Sequence, residues 1–330
     1  MNSENKKLQA LVVSRQIGSA RAFVAWLKEP NTTAAIDAAV LSYATCAREF
    51  SDLRHDVISG FTPPKLSFDF VISGTSVSAK EDADVYRWAR ANKIPSIAFV
   101  DQWINYSERF DLENQPSHIF CIDGKAKADL LNLPGLSAGI HAVGTPALNY
   151  IKNYWITRTR TKDSREIYFA TEPSSLPGGN DEYRARHGIC DIDMLRFLIT
   201  SLQAQPKQGH NLNILLHPID SEERVLRELN LRGNSENLQL KIVREEKHDV
   251  FAKAAAVFGM RSMFLLESGL LGIPTYSLQI GRKTGSSLTD DRSFIGVITE
   301  PGQMPTDFTA GKPDPLLLNN TWTETIRSLL

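Results

Sequence analysis

DFVISGTSVSAKEDADVYRWARANKIPSIAFVD, residues 69–101, holds one complete repeat of an alternating fold. Two short apolar runs rich in β-branched and aromatic residues, Asp69–Ser73 and Ser96–Asp101, flank a stretch of helical period, Lys80–Asn92. Val85, Trp88 and Ala89 in that stretch recur at i, i+3 and i+4, so the helix has one apolar face. Runs as continuously apolar as SIAFV read as strands buried between helical layers, the habit of a parallel sheet.

The alternation extends in both directions. Upstream it gives strands at Ala10–Ser14 and Ala39–Ser42 with a helix at Ser19–Lys28. Downstream it gives strands at His118–Asp123 and Ile140–Gly144 with a helix at Lys125–Leu131. KNYWITRTRTKDSRE, residues 152–166, breaks the rhythm with charge and reads as a linker. Beyond it the pattern restarts, with strands at Glu166–Ala170, Leu212–Leu216, Leu238–Val243, Ala255–Phe258 and Thr275–Leu278. Helices are expected at Asp191–Leu202, Ser221–Leu229, Asp249–Ala254 and Met263–Leu271, with Gly272 and Pro274 ending the last. Thr321–Leu330 reads as a short helix that could return across the other half. The fold class is therefore α/β: two Rossmann-like domains, 1–154 and 155–330, with a cleft between facing strand ends.

Composition narrows the function. The chain's 330 residues suffice for two ordinary cores. Lys plus Arg (37) balances Asp plus Glu (38), and without a basic excess a nucleic-acid partner is a poor expectation. No apolar run has the length of a membrane helix, and the polar start MNSENKKLQALVVS lacks a signal-peptide core, so a cytoplasmic location is expected. The three cysteines, Cys46, Cys121 and Cys190, are far apart and odd in number, which suits reduced thiols. No metal-ligand spacing and no cofactor signature appears.

The chemistry-bearing residues gather at predicted strand ends, where ligands of parallel sheets bind. His217-Pro218 closes one strand, and an imidazole there can donate to a phosphate oxygen. Ser262 opens the next helix, offering a hydroxyl and backbone N–H groups to an anion. Glu267, five residues on, could reach a ribose or base. The plain alternatives are a strand stop for His-Pro and an ordinary helix cap for Ser262. Thr171-Glu172-Pro173-Ser174-Ser175 ends another strand and could meet phosphate or sugar, or be simple connection. Arg282 and Lys283 are either phosphate ligands or solvated surface.

The pairing of H-P with a later S-x-x-x-x-E-x-x-x-x-G-x-P resembles the carboxyl-terminal domain of GT-B fold glycosyltransferases. The resemblance is strongest to bacterial enzymes of capsule and lipopolysaccharide synthesis, including sialyl- and Kdo-transferase relatives and polyol-phosphate transferases. It implies that His217, Pro218, Ser262 and Glu267 hold a nucleotide-sugar donor, with Thr171 beside them. Many relatives carry two adjacent hydroxyl residues where this chain has Arg261 before Ser262. Arg261 then either substitutes as a phosphate donor or signals a different nucleotide. The amino half is also similar, which implies that Gly74 and Thr75, then Asp101, Gln102 and Trp103, lie in loops serving an acceptor.

On that reading Asp101 is the first choice for a general base, with Trp103 beside it to stack on a sugar. Asp123 and Glu172 are the other catalytic candidates; Asp123 also reads as an Asp-Gly turn before a helix. Gly18 and Ser19, in the loop after the first strand, let a ligand approach the backbone, although the full G-x-G-x-x-G pattern is missing. The implied function is sugar transfer from a CMP- or UDP-sugar to a polysaccharide or glycolipid acceptor, without metal, at the cytoplasmic face of an inner membrane or free in the cytoplasm. A sugar-nucleotide 2-epimerase or hydrolase, and a non-enzymatic nucleotide-sugar binder, are the competing expectations.

Overall fold

The computed structural model describes residues 6–76, 80–103, 105–149, 151, 165–174, 178–205, 209–229, 238–286, 288–312, 317 and 320–330. Nearly all of the expected linker, and Ser175, lie outside these residues. The chain divides into two compact units, Met1–Lys152 with Pro315–Leu330, and Asn153–Asp314. Each is built on a parallel sheet with a Rossmann-like strand order.

The first sheet contains β1 (Leu8–Ser14), β2 (Ile36–Tyr43), β3 (Asp56–Ile58), β4 (Phe70–Gly74), β5 (Ser96–Val100), β6 (His118–Cys121) and β7 (Gly139–Ala142). Its order is β3-β2-β1-β4-β5-β6-β7. The second contains β8 (Glu166–Ala170), β9 (His210–Leu215), β10 (Leu238–Val243), β11 (Ala256–Gly259), β12 (Thr275–Leu278) and β13 (Gly296–Ile298). Its order is β10-β9-β8-β11-β12-β13. The strand order reverses beside β1 in one sheet and beside β8 in the other. Such a switch point leaves a crevice outside the carboxyl ends of the central strands.

The central strands are buried along their length, as their continuous apolar runs require. The helix of the opening repeat spans Lys80–Ala91, and Val85 and Ala89 are buried. Two strands had no sequence signal: β3 and β13, at three residues each, are too short to show a period. The helix Gly179–His187 buries none of its residues, so no apolar stripe announces it. Asp181 and Glu182 in its first turn and Arg184, Arg186 and His187 in its last complement its dipole instead.

The carboxyl-terminal residues belong to the first unit, the return expected for the Thr321–Leu330 helix. The helix Trp322–Leu329 packs on the first, because Trp322 is fully buried there. Its ring centroid lies 4.6 Å from Phe99 and 5.5 Å from Trp26, and its indole N–H donates to the Gly144 carbonyl at 3.1 Å. Thr323 accepts from the Trp26 indole at 3.1 Å. All three cysteines are free and buried. Among the described residues no helix is long and apolar enough to cross a membrane.

Candidate functional site

In the second unit three neighbouring strand ends are stitched together by the two residues after β8. Thr171 is buried, and its hydroxyl accepts the backbone N–H of His217, just past β9, at 2.9 Å. Glu172 reaches the other way: its Oε1 accepts the N–H groups of Met260 at 2.9 Å and Arg261 at 2.6 Å, just past β11. A carboxylate therefore sits on a pair of backbone donors at the switch point. Burial, resisted by those two donors, pushes Glu172 up to about 7.

Each of the groups around this stitch has a defined partner. His217 is exposed, and its Nδ1 accepts the Ile219 N–H at 3.3 Å, which leaves the proton on Nε2. Partial desolvation of the ring lowers its pKa against the opposing pull of Asp220. Ser262 caps the helix Met263–Leu270 by accepting the Phe264 N–H at 3.1 Å, and its hydroxyl proton is left to donate elsewhere. Gly272 has the left-handed φ of +68° that ends this segment. The Arg261 side chain lies over the Tyr183 ring, 5.4 Å from its centroid, and donates to the Tyr183 hydroxyl. Glu267 is buried, and both of its oxygens accept from Lys247 Nζ, at 2.9 and 2.8 Å.

A charge network lies beneath. Arg224 is bidentate to Asp191 (3.2 and 2.7 Å) and to Asp220 (2.6 and 2.7 Å). Both carboxylates are buried, and Asp191 accepts the Glu172 N–H at 3.1 Å. The Asp220 N–H in turn donates to the His217 carbonyl at 2.8 Å. The network thus fixes the backbone of the loops that carry Glu172 and His217. Sequence reasoning missed Asp191, Asp220, Arg224, Lys247 and Tyr183, because charged residues near helix ends look like solvated surface. Arg282 and Lys283 are committed structurally: Arg282 binds Asp290 and the Gln279 side chain, and Lys283 donates to the Ala185 carbonyl.

In the first unit the expected residues also converge, but on each other. Asp101 directly follows β5, with Oδ1 3.4 Å from Nη1 of Arg109. That guanidinium, only 3% exposed, also donates to the Thr75 carbonyl and hydroxyl and to Gln102. Gly18 is where Asp101 packs on the first helical turn, since a Cβ there would lie 1.9 Å from Asp101 Oδ2. Gly74 has the same function for Ser19, whose hydroxyl would stand 2.1 Å from an added Cβ. Burial raises the Asp101 pKa, and Arg109 opposes the shift.

Two expectations change. Trp103 is 2% exposed and donates its indole N–H to Asp123 at 2.9 Å, so its face is packed inside rather than offered to a sugar. Asp123 accepts that bond on one oxygen and the Ala126 N–H on the other at 2.8 Å, capping the helix Gly124–Leu131. Both oxygens hold structure, which takes Asp123 out of the free bases.

No protein-family model and no curated protein sequence matches the chain. Solved structures share its fold. The UDP-GlcNAc 2-epimerase of Neisseria meningitidis bound to UDP-GlcNAc superposes with a TM-score of 0.56 at 13% identity, over 90% of this chain and 89% of that one. Acinetobacter baumannii MurG gives 0.53 at 10% identity, over 98% and 91%. Anabaena HepE in complex with UDP and glucose gives 0.53 at 12% identity, over 98% and 95%. These likenesses define the class by architecture: a GT-B type fold.

Proposed function

We propose that this protein is an enzyme acting on a nucleotide-sugar, most simply a UDP-sugar, whose diphosphate lies across the ends of β9, β8 and β11. The observation that carries the reading is the set of donors that follow these strand ends: the Nε2–H of the exposed His217, the Ser262 hydroxyl and the Arg261 guanidinium. β9 and β11 are two strand spacings apart, about 10 Å, a width suited to two linked phosphates better than to one. Donors fixed before the reaction stabilise a leaving phosphate without reorganising. Glu267 is assigned the ribose.

The reaction we assign is transfer of the sugar to an acceptor hydroxyl of a saccharide or glycolipid. The first unit takes the acceptor side, with Asp101 as proton acceptor. Its raised pKa brings it closer to a hydroxyl's needs than an ordinary carboxylate. A second reading, 2-epimerisation of the donor sugar, is supported by the likeness to the Neisseria epimerase. Incubation with UDP-GlcNAc alone separates the two, since only the epimerase turns over without an acceptor. A mere binder would keep UDP affinity and show neither reaction.

The primary test is calorimetry with UDP, CMP, CDP and GDP. We expect one diphosphate, UDP, to bind best, and His217→Ala to raise its Kd roughly tenfold or more, the worth of one hydrogen bond to a charged group. An unchanged Kd removes His217 from the site.

A further inference from the structure

His118 opens β6 and so lies at the opposite end of the first sheet from Asp101, which follows β5. β6 pairs in parallel with β7, the last strand of the sheet, with His118 opposite Gly139 and Phe120 opposite His141. Residues two apart on a strand share a face, so His118, Phe120, Gly139 and His141 stand together on one face of the pair. Gly139 brings no side chain to that face, and both imidazoles border the space it leaves. A Cβ there would lie 2.8 Å from His118 Nδ1 and 3.3 Å from His141 Nε2. Phe120 backs His141 edge to face, with ring centroids 5.9 Å apart.

The two nitrogens that border this space, His118 Nδ1 and His141 Nε2, are 3.3 Å apart. That is long for a hydrogen bond. It matches two imidazole nitrogens on one tetrahedral ion, because two Zn–N bonds of about 2.0–2.1 Å at the tetrahedral angle span about 3.3–3.4 Å. Burial lowers the pKa of both rings, and the charges of His118 and Lys127 lower that of His141 further. These shifts favour the uncharged imidazole, the form that binds a metal. Gly139 is exposed, so an ion reaches the space from solvent.

We propose that His118 and His141 form a two-histidine site for a divalent transition ion of zinc's type, which imidazole nitrogens suit. Among the described residues no third His, Cys, Asp or Glu completes a ligand set, so water fills the other positions of the ion. The ion ties β7, which has a strand neighbour on one side only, to the body of the sheet. The site is independent of the nucleotide-sugar reading.

The experiment is a calorimetric titration of the whole protein with zinc chloride, repeated with His118→Gln, His141→Gln and Gly139→Ala. One site is expected in the unaltered protein. Each histidine substitution should weaken it roughly tenfold or more, since the loss of even an outer partner of a metal ligand costs about 10–100-fold. Gly139→Ala keeps both imidazoles and puts a methyl between them, so it should abolish the site while the melt without metal hardly moves. Cobalt in place of zinc should give the strong visible bands of a tetrahedral ion in the unaltered protein and lose them in Gly139→Ala. Zinc should also raise the melting temperature of the unaltered protein and of none of the variants. If a histidine variant melts early without metal, Gly139→Ala decides the matter. No saturable zinc binding overturns the proposal and leaves the pair a plain hydrogen bond. Binding that survives either histidine substitution or Gly139→Ala overturns it too, and assigns the ion to the chain's other histidines.

Discussion

The two sheets are wound alike around β1 and β8, yet their strand ends are furnished in opposite ways. In the first unit Asp101, Arg109, Thr75 and Gln102 satisfy one another, and two glycines let side chains pack directly on backbone. In the second, buried charges hold the loops from below, while His217 and Ser262 accept backbone N–H groups and keep a donor each for another partner. The same topology thus makes one end dominated by internal pairing and one end presenting donors. Topology supplies the crevice; the partner of each polar group decides what it can do.

The largest expected effect tests whether the second end depends on its buried network. Arg224→Met leaves Asp191 and Asp220 without their shared cation and should cost about 3–5 kcal/mol. Urea unfolding followed with probes in each unit should show the loss in the second alone. An equal shift of both would dissolve the contrast drawn here.

Next is the chemistry assigned to the first unit. Asp101→Asn keeps the shape and should reduce turnover about a hundredfold with little change in UDP affinity. Normal turnover would reduce Asp101 to a partner of Arg109 and make the first end purely structural.

A smaller effect probes the close packing. Gly74→Ala places a methyl 2.1 Å from the Ser19 hydroxyl and should destabilise the first unit by roughly 1–3 kcal/mol. Gly60→Ala, with open space around it, is the control and should change stability very little.

The last is a slope with pH. Glu172 has its folded pKa raised to about 7, so the native state holds its proton longer than the unfolded chain does. Its contribution is therefore most favourable below the unfolded value and is lost as pH rises from about 4.5 to about 7, at no more than about 1.4 kcal/mol per pH unit. The groups facing it are Arg261, whose charge opposes the shift, and Asp191, whose charge adds to it. Denaturation at several pH values should show this slope in the unaltered protein and a flatter one in Glu172→Gln.

Much of the architecture was legible. The strands at Glu166–Ala170, Leu238–Val243 and Thr275–Leu278 end where the apolar runs end, and most helices begin within a few residues of their expected starts. The placement of His217 and Ser262 beyond strand ends was legible for the same reason. The short strands β3 and β13 and the helix Gly179–His187 were not, since a period needs several turns or alternations to be seen.

The sequence alone determined the alternation, because burial on a helix face or in a sheet is a periodic property of neighbouring residues. Only the tertiary structure decided the duties of the carboxylates. Asp123 became a cap bound by Trp103, Glu172 closed on N–H groups almost ninety positions away, and Asp191 met Arg224. It likewise sent Trp322 back to Phe99 and Trp26. A charge's partner is chosen by which chain segments meet in space, and loop closure over long separations leaves no trace in the local pattern.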